Sequence, residues 1–415
     1  MVTILVKLKG FQKLTKTDEA KEKWFNALQL ERPKKTKVPL EDALNRVLME
    51  DIVAVEDLPR FDKSAMDGYA VISADLAGAS QLKPVILDLT QVTEVKTMQA
   101  KLIWTGNPIP KGADAVIMIE QTQKKGDKVE VWNQLSPWTN VSKAGEDTKK
   151  GIRIAKVGTR LNPYHLGLAA AFGLTELQVS RKPKIAILAT GNELAEVGAK
   201  RLDFQIYDSN KIMIEAMCKE LGAETVDLGI ARDDAEEILQ KIRKAIESSD
   251  VVITTGGTSV GGLDLVPDVV NSLGKPGVVV HGMALRPAMP TALAKVGSKP
   301  VLVLSGNPVA SIIGFEVFGR PLICRMLGMP KEEPRPLLKA KLNKRVTSAL
   351  GRKTYVRVKV FQKEKELIAE PVSTKGSGSI STMTQSNGYL IVPENREGVL
   401  EGETVTIHMF GNLEV

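Results

Sequence analysis

Val251-Val252-Ile253-Thr254-Thr255-Gly256-Gly257-Thr258-Ser259-Val260-Gly261-Gly262-Leu263-Asp264 decides the fold. Its first five residues are apolar or β-branched without alternation, the mark of a strand buried on both faces of a parallel sheet. Four glycines with interleaved hydroxyl residues follow, and a helix is expected to start near Asp264. Glycine lets backbone approach a ligand with no Cβ in the way. A strand, a glycine-rich loop and a helix N-terminus aim free N–H groups and the helix dipole at one point, which makes an anion site. A tight turn of an α/β fold would also account for the glycine pair. The hydroxyls and the terminal acid favour a phosphate-bearing ligand.

Outward from this stretch, strands and helices alternate. A strand over 184–189 ends in Thr190-Gly191-Asn192-Glu193, and a helix over 209–221 closes at Gly222. A strand over 225–228 runs into Arg232-Asp233-Asp234. Asp233 and Glu236 stand at capping-box spacing ahead of a clean helical face. Strands are expected near 278–281, 291–296 and 301–304. Ser305-Gly306-Asn307-Pro308 then opens one helix to about Leu327, with Pro308 in its first turn. This pattern predicts a three-layer α/β domain of about 150 residues.

The strand ends of a parallel sheet converge on one edge. Glu193, Asp233, Asp234 and Asp264 therefore come beside the glycine cradle. Acids next to a phosphate need a cation between them, and Mg²⁺ held by carboxylates and substrate phosphates is the usual solution. The chemistry so implied is metal-assisted transfer or hydrolysis at a phosphate or phosphoanhydride. Asp233 also reads as a plain helix cap.

The flanking regions differ in texture. Residues 1–30 suggest a short strand and a helix from Thr17 to Leu30, with Asp18 as its cap and Ala20, Trp24, Ala27 and Leu28 on one face. A linker over 31–37 leads to a short helix beginning at Pro39. Asp62, Lys63, Ser64 and Asp67 crowd a loop ahead of Gly68-Tyr69. Short strands over 83–135 suggest a small separate β domain. A helix over 163–172 takes Asn162 as its cap. A charged, proline-containing linker ends the α/β region, and 338–415 alternate in short segments as a small β domain or barrel.

The 415 residues are 43% hydrophobic and 26% charged, as in a globular soluble chain. A net charge of +8 suits an anionic partner. Aromatics at 4% argue against stacking platforms for single strands, and no zinc-finger or helix-turn-helix spacing is present, so no nucleic acid is expected. Cys218 and Cys324 read as buried free thiols of a reducing compartment. His165, His281 and His408 are too scattered for a zinc site or a Ser-His-Asp triad. No apolar run reaches membrane-spanning length, so a cytoplasmic protein without a membrane partner is expected.

Several short motifs occur in a fixed order. They are Met66-Asp67-Gly68-Tyr69-Ala70-Val71, Thr105-Gly106, Gly145-Glu146-Asp147, Thr190-Gly191-Asn192-Glu193, Tyr207-Asp208-Ser209-Asn210, Gly256-Gly257-Thr258-Ser259-Val260-Gly261 and Gly306-Asn307-Pro308-Val309. In this combination the chain resembles the molybdopterin molybdenumtransferase family, the type of the gephyrin E domain, over nearly its whole length.

The resemblance implies four domains. Residues 1–32 with 181–330 would form the molybdopterin-binding α/β domain, 33–57 with 148–180 a linking domain, 58–147 an inserted β domain and 333–415 a C-terminal β-barrel-like domain. It implies an elongated homodimer that inserts molybdate into adenylylated molybdopterin with Mg²⁺-dependent release of AMP. Asp67, Thr105, Asp147 and Glu193 would be catalytic. Thr255, Gly256, Gly257, Thr258, Ser259, Val260 and Gly261, with Arg286, Pro308 and Ser377, would bind substrate. Glu193, Asp233 and Asp264 would hold the metal. The inserted domain would approach the α/β domain of the partner subunit.

This chain departs from the family pattern at three places. Arg286 stands where lysine is common, Met289 where a second lysine is frequent, and Ser305 where proline is usual. All three fall where the metal oxyanion would be handled. Tungstate in place of molybdate is one consequence. A non-catalytic pterin-nucleotide scaffold is another.

Overall fold

The computed structural model describes residues 14–258, 265–329, 335–373 and 376–413. Ser259, Val260, Gly261 and Asp264 lie outside the described residues.

The Val251–Thr255 strand is buried at every position and pairs in parallel on both sides, with Lys184–Thr190 and with Lys299–Leu304. The six-stranded sheet adds Glu224–Ala231 in parallel at one edge, and Ala292–Val296 and Pro276–His281 antiparallel at the other. Two cores cover its faces. On one side Trp24, Leu28, Ile214, Cys218, Phe315 and Phe318 pack with Ile185, Ile253 and Leu302. On the other, Ile238, Ile242, Val266 and Val270 meet Ala186, Val252 and Val301. Successive residues of one strand thus feed opposite layers, which is why that strand reads as continuously apolar.

Around this domain stand three further bodies. Lys35–Pro39 pairs antiparallel with Glu176–Ser180 over a core of Leu48, Leu161 and Val179. Residues 68–131 build a six-stranded sheet centred on Gly68–Val71, Gln99–Ile103 and Val85–Leu89, filled by Tyr69, Leu87 and Ile117. At the C-terminal end Lys353–Lys363, Glu366–Ser373, Leu337–Leu342, Thr404–Met409 and Gly388–Val392 close on themselves as a five-strand barrel. Closure leaves these five strands without an unpaired edge between them.

Local detail corrects four expectations. The first helix runs Thr17–Leu28 with Lys16 at its N-cap, so Asp18 lies in the first turn and pairs instead with Lys353 Nζ at 2.8 Å. The region after Pro39 makes only the short turn Leu40–Asp42, because Asn45 takes a left-handed conformation (φ 61°). The helix after Arg232 is capped by Asp234, whose Oδ1 accepts the Glu237 N–H at 2.8 Å; Asp233 is not the cap. The helix from Pro308 is interrupted by a wide turn over Phe315–Gly319 before it resumes as Arg320–Met326. Pro321 cannot donate to the turn before it and crowds the carbonyl four residues back, which accounts for the widening.

The first helix is joined to the sheet by Trp24, which is fully buried and donates its Nε1–H to the Ala294 carbonyl at 2.9 Å. Replacing Trp24 by alanine is expected to cost about 3–5 kcal/mol. Chemical denaturation of Trp24→Ala against the parent chain reads this directly, and a loss below about 1 kcal/mol would mean that the site collapses around the gap.

Candidate active site

The strand ends form the site. Gly256 and Gly257 both adopt positive φ (92° and 67°). A Cβ on Gly256 would run into the Thr190 carbonyl, and one on Gly257 into the Val266 side chain, so only glycine passes here. The Gly256 N–H donates to the Leu304 carbonyl at 3.0 Å, which seats this loop beside Ser305-Gly306-Asn307. Thr255 and Thr258 are almost fully buried.

Neighbouring loops are latched to one another. The Asn192 N–H donates to Asp233 Oδ2 at 3.3 Å, and the Asp233 N–H donates to Asn192 Oδ1 at 3.2 Å. This reciprocal pair joins two strand ends and is the role the structure gives Asp233. The Glu193 carboxylate lies over Gly191, within 2.8 Å of where a Cβ there would stand, and the residue is exposed. Among the described residues no three His, Cys, Asp or Glu side chains converge as a metal cluster.

The Tyr207-Asp208-Ser209-Asn210 motif braces these loops from below. Asn210 donates to the Gly306 carbonyl at 2.7 Å. Asp208 caps the following helix through the Lys211 N–H, and burial pushes its carboxyl above the usual range. The Lys211 side chain, 4% exposed, reaches Glu196 at 3.0 Å and Asp227 at 3.1 Å. Glu196 belongs to the segment that carries Glu193, so this buried cation fixes the segment's base.

These loops open onto a cleft of about 770 Å³ between the α/β domain and the barrel. Glu193, Gly256, Gly257, Thr258, Arg286 and Ser305 line it from one side, and Thr347, Arg352, Thr354, Arg357 and Ser377 from the other. Leu285–Arg286 is itself a short strand that pairs in parallel with Lys353-Thr354, so a β-ladder joins the two domains at the cleft. The Val309 N–H, at the start of the helix opened by Pro308, donates to the Ser377 carbonyl at 2.9 Å and docks the barrel's loop on the same rim. Ser305 Oγ accepts the Asn307 N–H at 3.3 Å, a turn contact within its own loop. Arg357 is 4% exposed, and burial holds its guanidinium below the usual arginine range. Sequence reasoning passed over Arg352 and Arg357. The one available signal was an arginine inside the apolar alternation of Tyr355–Val360.

Asp67 and Thr105 meet elsewhere, on the inserted sheet. Both the Thr105 N–H and its Oγ1–H donate to Asp67 Oδ1 at 2.7 Å. These bonds, the backbone one first, hold the Asp67 carboxyl below the usual range. Asp147 is exposed, and its N–H donates to the Leu58 carbonyl at 3.1 Å. Bonds from Ser64 to Asn107, Gly106 to Ser64 and Ala65 to Asn140 stitch the three segments into one patch. None of Asp67, Thr105 and Asp147 lines the cleft.

Comparison with known proteins agrees with this layout. Residues 15–173 match the MoeA N-terminal region (domain I and II), 186–325 the probable molybdopterin binding domain, and 339–410 the MoeA C-terminal region (domain IV). The chain belongs to the molybdopterin molybdenumtransferase (MoeA) family. It is 40% identical to a Methanocaldococcus jannaschii protein named for molybdopterin biosynthesis, over 92% of this chain and 94% of that one. It is 36% identical to the molybdopterin molybdenumtransferase of Bacillus subtilis, over 89% and 88% of the two chains. The crystal structure of the MoeA protein of Pyrococcus horikoshii OT3 superposes with a TM-score of 0.80 at 31% identity, covering 96% of this chain and all of that one. Among the described residues no helix is long and apolar enough to cross a membrane.

Two substitutions test the geometry of this MoeA-family site. Gly256→Ala forces a left-handed non-glycine residue against the Thr190 carbonyl, at a cost of about 1–3 kcal/mol in strain. It should lower the melting temperature and weaken calorimetric binding of AMP used as a phosphate probe; unchanged values for both would mean that the loop is not constrained. Thr105→Ala removes one of two bonds to Asp67. The carboxyl should then titrate closer to the ordinary aspartate range yet stay depressed by the remaining N–H, as read by carbon-detected NMR.

Proposed function

We propose that this chain inserts molybdate or tungstate into adenylylated molybdopterin with Mg²⁺-dependent release of AMP, in molybdenum cofactor biosynthesis. The observation that carries the reading is the cleft, where a glycine loop restricted to positive φ faces Arg286, Arg352 and Arg357. Glu193 is the one carboxylate that lines it among the described residues. Such a surplus of positive charge and N–H donors suits a ligand that brings a phosphoanhydride together with a metal oxyanion.

The acids present fit a divalent ion. Glu193 is exposed beside the loop, and Asp233 uses only one carboxylate oxygen in its latch with Asn192. These two, with Asp264, would hold Mg²⁺, and substrate phosphates would complete its shell. When bound, the ion would neutralise charge on the leaving phosphate. The protein's own part is to place the anhydride on the glycine loop and to meet the oxyanion with fixed guanidiniums. Arg286 offers a planar fork where a lysine would offer a point charge.

Asp67 is held ionised by Thr105 yet stands outside the cleft, so we assign it to the site of a partner subunit in a homodimer. Exposed apolar side chains near it (Phe61, Met66, Trp104) and beside the cleft (Phe204, Ile206) suit such a contact. We place the enzyme in the cytoplasm, which suits two buried free thiols, one of them, Cys218, pushed up to about 12 by burial.

The test is AMP release from adenylylated molybdopterin with Mg²⁺, with molybdate or tungstate in separate reactions. Release that depends on one oxyanion is expected. Binding without release under either would favour a pterin-nucleotide scaffold, with Arg286, Met289 and Ser305 as the cause. Asp67→Asn should lose release and keep ligand binding. Mixing Asp67→Asn chains with Glu193→Gln chains should restore roughly a quarter of parent activity, because half the dimers are mixed and each carries one complete site. No restoration would place both residues in one subunit's site.

A further inference from the structure

Arg352 is the one cation of the cleft to which neither the sequence motifs nor the family's residues assign a role. It sits immediately before the barrel strand that pairs with Leu285–Arg286. Its backbone is fixed from both directions. The next residue, Lys353, donates its N–H to the Ala284 carbonyl at 2.9 Å and its Nζ to Asp18, and Thr354 faces Arg286 in the ladder. Arg286 and Arg352 are thus held by adjacent strands of two domains, roughly 5 Å apart in the pairing direction.

Other cations of the barrel are matched by acids. Arg396 forms a two-bond pair with Glu403, Lys344 reaches Glu370, and Lys353 reaches Asp18. Among the described residues, neither Arg286 nor Arg352 has a carboxylate within 4.0 Å, although both line the same cleft. Two neighbouring cations without a counter-charge repel each other, and an anion placed between them removes the repulsion. The glycine loop already supplies N–H donors for a phosphate. A second anion with several acceptor oxygens is what two guanidinium forks match.

We propose that Arg352 is an oxyanion-binding residue: with Arg286 it clamps the free tetrahedral dianion, molybdate or tungstate, across the junction of the α/β domain and the barrel. The inference rests on the metal-inserting reading above and names the part of the cleft that receives the metal. It also gives the ladder between Leu285–Arg286 and Lys353-Thr354 a purpose, since the clamp exists only while the two domains stay joined.

The test is calorimetric binding to the full-length protein, with molybdate, tungstate and AMP titrated separately. Arg352→Gln should weaken oxyanion binding roughly ten- to a hundred-fold, the scale of a lost charge-assisted hydrogen-bond pair, and leave AMP binding within about two-fold. Arg352→Lys should recover part of the loss. Arg345→Gln removes the same charge from the exposed barrel surface, and should change nothing. Melting temperatures confirm that each variant is folded. Unchanged oxyanion affinity in Arg352→Gln would overturn the proposal. So would a loss confined to AMP, which would make the residue a phosphate contact. If the parent protein binds AMP but neither oxyanion, the metal-inserting reading itself fails, independently of Arg352.

Discussion

The site depends on a ladder two residues long. Leu285–Arg286 leaves the α/β domain, pairs in parallel with Lys353-Thr354, and is followed by the segment through Pro290 that forms part of the cleft wall. Without that pairing the glycine loop would face solvent, and the barrel's arginines would line nothing. The ladder is reinforced on both sides. Asp18 of the first helix reaches Lys353, and the Val309 N–H holds the Ser377 carbonyl. Each contact is modest alone, about 1 kcal/mol for a neutral hydrogen bond. Together they fix one domain's charges against the other's loop, and preorganisation of this kind gives a charged site its strength.

Beneath the ladder, buried polar groups are spent on loop placement. Lys211 is nearly sealed from solvent, which costs several kcal/mol in lost hydration unless it is paired. It is met by Glu196 and Asp227, and Asn210 holds the Gly306 carbonyl. An apolar residue at 211 would pack more simply but would leave the base of the Glu193 segment unfixed. Asp233 follows the same logic at the surface, where its bonds with Asn192 lock two strand ends in register.

Asp67 shows what a single chain leaves incomplete. Thr105 keeps its carboxyl charged, and the surrounding loops are stitched tightly, yet the patch belongs to a sheet whose members do not line the cleft. A well-ordered, charged patch with exposed Met66 and Trp104 beside it is the kind of surface that assembly covers.

The sequence by itself determined the elements whose signal is local. Val251–Thr255 is continuously apolar because both faces are buried, Gly256 and Gly257 are glycine because no Cβ fits, and Cys218 and Cys324 sit in apolar helical patterns because they pack as small hydrophobes. The ordered motifs were legible as a family pattern for the same reason, since each is a short stretch under tight local constraint. Tertiary structure alone decided what depends on residues far apart in the chain. No spacing in the sequence brings Arg286 to Thr354, Arg352 into the cleft, or Asp18 to Lys353, because these contacts arise when two separately folded cores meet. The one-residue shift of the helix cap from Asp233 to Asp234, and the wide turn that Pro321 imposes on Phe315–Gly319, were likewise decided in three dimensions, where competing hydrogen bonds choose among residues that the sequence leaves equivalent.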